Sequence, residues 1–357
     1  MLKFAVAGTG FAKKVVLPAL ARHPRARATA ISSGREDRAR ETAAEFDLEH
    51  YTTSFEDLLD TEPDAVIITT PTDLHRPMAL AAIERGIHVL CEKPMALDSR
   101  EAEEMYRAAE SAGVVAAIDF EFRYLPVRAR MTELVEDGFL GEITVVSLSG
   151  FTPHRSDPNS PWSWWSDAAR GGGALGASAS HFIDALMGWC GPIERVAGGL
   201  ETVIRERPDG DGNMRRVDSD DSYAFSIRFS NGALGNLVYG SAVAHPQPLR
   251  IALHGTEGTL VDVGDEELLG ARRDETLAPL EIPERLRLIP GGGSEGDLED
   301  SYWLEAPFLR LLDRFISAAA DVRAYDGPSF EDGLRVQRVL DAVRMSHASG
   351  WIAPSDR

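Results

Sequence analysis

The sequence predicts two domains in series: an N-terminal α/β domain with a doubly wound parallel sheet, then an α+β domain with a mostly antiparallel sheet. Three observations predict it. Short apolar runs alternate five times with helical patterns over residues 1–120. Strand-like runs then follow one another without helices from Ile193 to about Val263. The chain of 357 residues is also too long for one ordinary core.

The elements follow in order. Leu2–Ala7 reads as a buried strand. Residues 12–21 carry Val15, Val16, Ala19 and Leu20 at helical spacing, and Arg27–Ser32 is a second strand. Glu36–Phe46 is a helix, and Ser54 with Asp57 resembles a capping box that opens a short one. Ala65–Thr69 is a β-branched strand, Leu74–Arg85 a helix closed by Gly86, and Ile87–Cys91 a fourth strand. Asp98 or Ser99 caps Glu101–Ser111, Gly113 closes it, and Val114–Asp119 is the fifth strand. Such alternation with short loops forces parallel pairing, so residues 1–120 read as a Rossmann domain.

Residues 121–357 form the second domain. A helix over 127–137 leads to a strand ending near Ser149, and a tryptophan-rich segment precedes a helix near Ser180–Met187. Strands follow at Tyr223–Phe229, Leu234–Tyr239, Leu249–His254 and Thr259–Val263, with Asn231-Gly232 as a hairpin turn. The Gly/Asp-rich stretches Pro208–Asp221 and Pro290–Asp300 read as mobile loops. Helices Trp303–Ala320 and Phe330–His347 close the chain.

A formal net charge of -20 makes nucleic acid and anionic membrane surfaces poor partners. No stretch approaches the apolar length of a membrane span, and the first strand does not read as a signal peptide. Cys91 and Cys190 form no disulfide framework and match no zinc spacing, so no metal is expected and a cytoplasmic location is.

Gly8-Thr9-Gly10-Phe11 lies between the first strand and the first helix, where backbone amides can approach a pyrophosphate. The third motif position is Lys13, so either helix and strand pack less closely there or Ala12 takes the close contact. Strand two ends without a carboxylate for a ribose 2′-hydroxyl. Ser32, Ser33, Arg35 and Arg38 are instead placed to bind a phosphate, which favours NADP over NAD.

Together with Thr69-Thr70-Pro71-Thr72-Asp73-Leu74-His75 and Cys91-Glu92-Lys93-Pro94, that turn resembles the Gfo/Idh/MocA oxidoreductases. The glycine run Gly171–Gly173 leading to His181 and Asp184, and the segment from Phe330 to Val336, extend the resemblance over nearly the whole chain. It implies a large open sheet in the second domain and a pyridine nucleotide between the domains. Thr70, Pro71 and His75 would border the cofactor, Glu92 and Pro94 would flank the catalytic-position Lys93, and His181 would be the catalytic histidine. It also implies a sugar, cyclitol or related polyol as substrate and a homo-oligomer, dimer or tetramer, built on the open sheet. The chain departs from the pattern at Ala177, where inositol dehydrogenase-type members carry an aspartate, and at Ala179, where a glycine is expected.

Removing hydride from a carbinol carbon requires that the hydroxyl proton leave too. His181 suits the acid/base role and Lys93 that of oxygen donor or proton relay, with the reverse assignment open. Asp184, three residues on, shares a helix face with His181, or forms an ion pair at the helix surface or between domains. Asp119 and Glu121 could also converge there. Trp164 and Trp165 offer faces for sugar C–H groups, and Arg123 and Tyr124 offer polar contacts. The competing reading is a non-catalytic cofactor or sugar sensor on the same fold. Retention of both Lys93 and His181 favours the enzyme.

Overall fold

The computed structural model describes residues 1–287, 302–321 and 324–349, so the anticipated Pro290–Asp300 loop lies outside the described residues. The chain divides into two compact units. The first comprises Met1–Tyr124 and the described part of Leu288–Gln337; the second comprises Leu125–Arg287 and the described part of Arg338–Arg357.

In the first unit, β1 (Leu2–Ala7), β2 (Ala26–Ser32), β3 (His50–Thr52), β4 (Ala65–Ile68), β5 (His88–Cys91) and β6 (Ala116–Ile118) form one parallel sheet in the order β3-β2-β1-β4-β5-β6. The order reverses between β1 and β4, so the carboxyl ends of those strands open a crevice suited to a ligand. β4 is buried throughout, as a strand covered on both faces must be. The edge strand β3 was not anticipated, because three residues that are largely exposed carry no apolar pattern.

The first helix continues from a π-turn over Ala12–Val16 into α1 (Leu17–Arg22). Ala12 is fully buried in the core that also holds Phe4 and Val6 of β1, while Lys13 turns out to Glu45 at 2.5 Å. The helices α2 (Glu36–Glu45), α3 (Phe55–Leu59), α4 (His75–Glu84) and α5 (Ser99–Ala112) alternate with the strands. Ser54 accepts from Asp57 N, but its own N–H donates to Thr52 Oγ1, so the box is only half made. Of Asp98 and Ser99 it is Asp98 that caps, accepting from Glu101 N, and Gly113 adopts φ 67°.

The second unit opens with α6 (Pro126–Glu136) and β7 (Ile143–Phe151), then the helix α7 (Ser180–Cys190), which a π-turn over Leu175–Ala179 precedes. The strands β8 (Ile193–Glu201), β9 (Glu206–Pro208), β10 (Met214–Arg216), β11 (Ser222–Phe229), β12 (Leu234–Gly240), β13 (Gln247–Gly255), β14 (Gly258–Val263), β15 (Glu267–Arg272) and β16 (Ala278–Pro279) follow. Eight of the strands form a sheet in the order β16-β15-β14-β13-β7-β12-β11-β8. Its neighbours pair antiparallel except β7 with β12. Asn231-Gly232 makes the β11–β12 turn, with Gly232 at φ 92°.

Pro208–Asp221 is not the unstructured loop its composition suggested. Met214–Arg216 pairs with Glu206–Pro208, and the buried Arg207 guanidinium donates to Asp157 O and Arg155 O at 2.7 and 2.6 Å. The fully exposed β10 shows no alternation to read.

On the inner face of the sheet, Phe182 of α7 meets Tyr239, which stacks on Tyr223 at 5.3 Å. On the other face, Val145 and Leu234 are register partners and both about half exposed. Two C-terminal helices serve different ends. In the first unit, α8 (Tyr302–Asp321) packs Phe308, Leu311, Leu312 and Phe315 into the core around Phe4 and Val6. The last turns of α9 (Phe330–Ala348) cover the edge of β8 in the second unit: Gly198 N donates to Ser346 Oγ and Leu200 N to His347 Nδ1.

Candidate active site

In the first unit, the hydrogen-bond ladder continues past the strand ends and aligns four turns. Gly8 N donates to Ser32 O (2.9 Å), Thr69 N to Ala7 O (2.7 Å), Glu92 N to Ile68 O (2.9 Å) and Asp119 N to Cys91 O (2.8 Å). Gly8 sits at φ 99°, and a Cβ there would lie 2.6 Å from Thr69 O, so only glycine fits. A Cβ at Gly10 would meet nothing within 4 Å. The space over the helix start is therefore open, and the first amides of a helix have no intrahelical partner. The residues present fit a dinucleotide pyrophosphate.

His75 is buried with Nδ1 3.0 Å from Pro94 O and Nε2 2.9 Å from Thr70 O. It ties the Thr70-Pro71 turn to the Lys93-Pro94 turn, whose peptide bond is cis. Burial lowers its pKa, against the opposing pull of the Thr70 carbonyl and the Glu92 charge. Gly333 of α9 approaches the next residue closely: a Cβ there would lie 2.7 Å from Met95 Sδ. Arg123 pairs with Asp332 at 3.4 Å, and Arg314 lies 5.5 Å over the Tyr124 ring.

Lys93 Nζ stands 3.9 Å from Glu92 Oε2. Asp119 and Glu121 are both 2% exposed, and the Asp119 carboxyl hydrogen-bonds with Glu92 and Glu121. Burial first, then the neighbouring carboxylates, raise Asp119 well above the usual range, and burial with the Glu92 charge raises Glu121 to about 8. Among the described residues no group of His, Cys, Asp and Glu is arranged to hold a metal ion.

At the end of β2, Ser32 is buried, while Arg35 and Arg38 are exposed. Arg35 is engaged through both guanidinium edges by Asp37, with Nε 3.0 Å from Oδ1. Phe11 packs its ring edge-on to Phe308 at 6.3 Å.

In the second unit, His181 and Asp184 lie buried on α7, at 3% and 5% exposure. Burial rules out the helix-surface ion pair as the role of Asp184. The start of this helical stretch is pinned by Asp220, a residue that sequence reasoning missed. Asp220 Oδ2 accepts from Leu175 N (2.7 Å) and its carbonyl accepts from Ala174 N (2.8 Å). Burial raises Asp220 to about 6, while the Leu175 amide and the Arg344 charge pull it down. The glycine run fits beside it: a Cβ at Gly172 would lie 2.3 Å from Trp165 O, and one at Gly173 (φ 116°) 2.4 Å from Asp220 Oδ1. Ser178 Oγ donates to Ala174 O and stands 3.2 Å from Tyr223 Oη. The Trp164–Ser166 turn thus rests on the glycine run, with Arg155 4.4 Å over the Trp165 ring. Trp162 stands apart, donating Nε1–H to Arg216 O beneath Arg215.

A glycine turn opening onto a helix at the switch point of a parallel sheet is the arrangement of a dinucleotide-binding fold. Residues 2–120 match the model of the oxidoreductase family with an NAD-binding Rossmann fold, and residues 129–261 match the GFO/IDH/MocA C-terminal domain. The chain belongs to the Gfo/Idh/MocA family of oxidoreductases. An uncharacterized oxidoreductase of Synechocystis is 32% identical, covering 99% of this chain and 96% of its own. Levoglucosan dehydrogenase of Pseudarthrobacter phenanthrenivorans is 34% identical, covering 90% and 88%. A solved levoglucosan dehydrogenase, in complex with NADH and L-sorbose, superposes with a TM-score of 0.88 at 29% identity, covering 98% of this chain and 97% of that one. No described helix is long and apolar enough to cross a membrane.

Proposed function

We propose that this protein transfers a hydride between a nicotinamide dinucleotide and a secondary alcohol or ketone of a sugar, cyclitol or glycoside. The observation that carries the reading is the Lys93 turn. An ammonium group stands on a proline-fixed turn at the carboxyl end of β5, one strand removed from an open glycine turn at the same end of the same sheet. Ligands of parallel sheets bind at that end. The similarity to levoglucosan dehydrogenase supports the substrate class.

In this reading the first unit holds the dinucleotide, and the second serves substrate binding and self-association. Gly8, Gly10 and Phe11 form the turn over which the pyrophosphate lies, and Thr70, Pro71, Glu92 and Pro94 border the nicotinamide. His75 acts indirectly, by holding two of these turns together. When bound, the dinucleotide supplies the hydride acceptor or donor. His181 exchanges the hydroxyl proton, and Lys93 donates a hydrogen bond to the same oxygen and relays a proton. Asp184 orients His181, Trp164 and Trp165 lie against sugar C–H faces, and Arg123 and Tyr124 reach hydroxyls.

For the adenosine end, the absence of an acid at the end of β2 favoured NADP. Asp37 shifts the balance to NAD(H), because a 2′-phosphate would have to displace its carboxylate from Arg35. The half-exposed pair Val145 and Leu234 supports sheet-on-sheet self-association, which light scattering tests.

The test of function is nicotinamide absorbance with NAD+ and NADP+ over a panel of levoglucosan, L-sorbose, free hexoses and cyclitols. The expected result is NAD+-dependent turnover of at least one, lost in Lys93→Met and in His181→Asn. Tight cofactor binding without turnover on any of them would support the sensor instead.

A further inference from the structure

We propose that Glu92, Asp119 and Glu121 form a proton-holding relay behind Lys93, and that the proton displaced from the substrate hydroxyl in each oxidation passes into it. The inference rests on reading Lys93 as the group that holds the reacting oxygen. It takes the reverse assignment, with Lys93 rather than His181 as first acceptor of the hydroxyl proton, and adds a place where that proton rests until the product leaves.

The geometry begins with the register of β5 and β6. The bond from Asp119 N to Cys91 O sets residues 92, 119 and 121 side by side, one residue from Lys93. Asp119 hydrogen-bonds with the carboxyl groups on either side of it. Two carboxylates are both acceptors only, so a hydrogen bond between carboxyl groups requires a proton. The buried row therefore carries protons under conditions where surface carboxylates carry none. Asp119 Oδ1 and Glu92 Oε1 are buried with no hydrogen-bond partner among the described residues, which leaves the row room to accept one more. Lys93 is the cation at its mouth, 3.9 Å from Glu92 Oε2.

The step balances. The substrate C–H bond breaks with its electron pair going to the nicotinamide. The substrate O–H bond breaks and its proton forms an N–H bond on Lys93, as one existing Lys93 N–H proton forms an O–H bond on Glu92. Glu92 holds that proton in its hydrogen bond with Asp119 until the product leaves, when the proton returns to Lys93, itself a fifth exposed, as a Lys93 proton passes to solvent. Reduction runs the same steps backwards.

The groups around the row accommodate this. Cys91, raised by burial and by the Glu92 and Asp119 charges, stays a thiol. His75 feels the Glu92 charge but is held by two carbonyls. The Tyr325 phenol beside Asp119, Tyr124 and Asp326 is raised by burial and by their charges. Arg123, the nearest guanidinium along the chain, is drawn off to Asp332.

The test uses infrared spectroscopy on the whole protein at neutral pH, together with steady-state pH profiles. The wild type is expected to show a protonated-carboxyl band that weakens in the isosteric variants Asp119→Asn and Glu121→Gln, and that changes when NAD+ is replaced by NADH. Glu121→Gln is expected to lower kcat about tenfold, less than the roughly 10²–10⁴-fold of a group that meets the reacting proton directly, to move the pH optimum and to leave KM nearly unchanged. Absence of the band in the wild type overturns the proposal without folding any variant. So does a Glu121→Gln enzyme with the wild-type pH profile. Lys93→Met separates the two readings: wild-type turnover in that variant refutes the role of Lys93 itself, whereas an inactive Lys93→Met beside an unaltered Glu121→Gln refutes the relay alone.

Discussion

Each unit buries carboxyl groups against the segment that carries a residue proposed to act, and the two resolve the burial differently. In the first unit Asp119 and Glu121 find their partners in other carboxyl groups, and Glu121 is pushed up to about 8. In the second, Asp220 finds the Leu175 amide and the Arg344 charge, and rises only to about 6. The lesson concerns donors rather than depth. A backbone N–H stabilises the charged form, whereas a neighbouring carboxyl can be accommodated only by keeping a proton. The first arrangement stores protons beside Lys93, and the second fixes the start of the helical stretch that carries His181.

The largest expected effect breaks the comparison at its functional end. Lys93→Met should lower kcat by about 10²–10⁴-fold, while fluorescence titration shows nearly unchanged cofactor affinity. A loss of affinity alone, with kcat preserved, would mean that the first unit contributes binding and no chemistry.

Two glycines come next, one per unit. Gly8→Ala and Gly173→Ala each force a side chain into positive φ and into an oxygen, at 2.6 and 2.4 Å. Each should cost about 1–3 kcal/mol from backbone strain, read by chemical denaturation. Their functional effects should differ. Gly8→Ala should weaken cofactor binding, whereas Gly173→Ala should displace Asp220 and lower kcat with cofactor affinity intact. Identical effects on both would erase the distinction between the units.

A smaller effect tests the donors directly through pH. Both groups are raised above their ordinary values of 4.5 and 3.8, so between ordinary and folded values the native state holds a proton that the unfolded chain has lost. Stability is then full at low pH and falls as pH rises. The fall attributable to Asp220 should end near pH 6, and that attributable to Glu121 should run on to about 8. Thermal melts across this range should flatten in the lower window for Asp220→Asn and in the upper window for Glu121→Gln. A slope that persists in both variants would place the linked protons elsewhere.

This contrast also separates what the sequence made legible from what it hid. The strands β1, β4 and β5 announce themselves because a parallel strand buried on both faces is a continuous apolar run, and Asp98 and Ser54 mark helix starts through bonds only three residues long. Lys93 and His181 are proposed on the motifs around them. Asp119 and Glu121 were visible as acids just past a strand, but the bond of Asp119 to Glu92 depends on the register between β5 and β6. Asp220 was hidden altogether. Its bond to Leu175 spans 45 residues, and its neighbours Asp218, Ser219 and Asp221 gave it the look of a solvated turn. The hairpin of β9 and β10 was lost for a related reason, since a strand exposed at every position has no periodicity.

An exposed carboxylate bounds the comparison and gives the smallest effect. Asp37 lies on the surface, and the Arg35 guanidinium hydrogen-bonded to it holds it down at about 2, the opposite direction from both buried groups. With both side chains open to solvent, losing the pair should leave stability nearly unchanged, because ion pairs at the surface contribute little. Its consequence should appear in selectivity. Asp37→Asn keeps the shape but releases Arg35 from a fixed negative charge, which frees the guanidinium for a 2′-phosphate beside Ser33 and Arg38. The ratio of kcat/KM for NADP+ over NAD+ should therefore rise about two- to fivefold, in keeping with the modest strength of an exposed pair, with the melting temperature unmoved. An unchanged ratio would mean that Arg35 does not face the ribose. A fall in stability would mean that surface and buried carboxylates differ less here than the rest of the comparison requires.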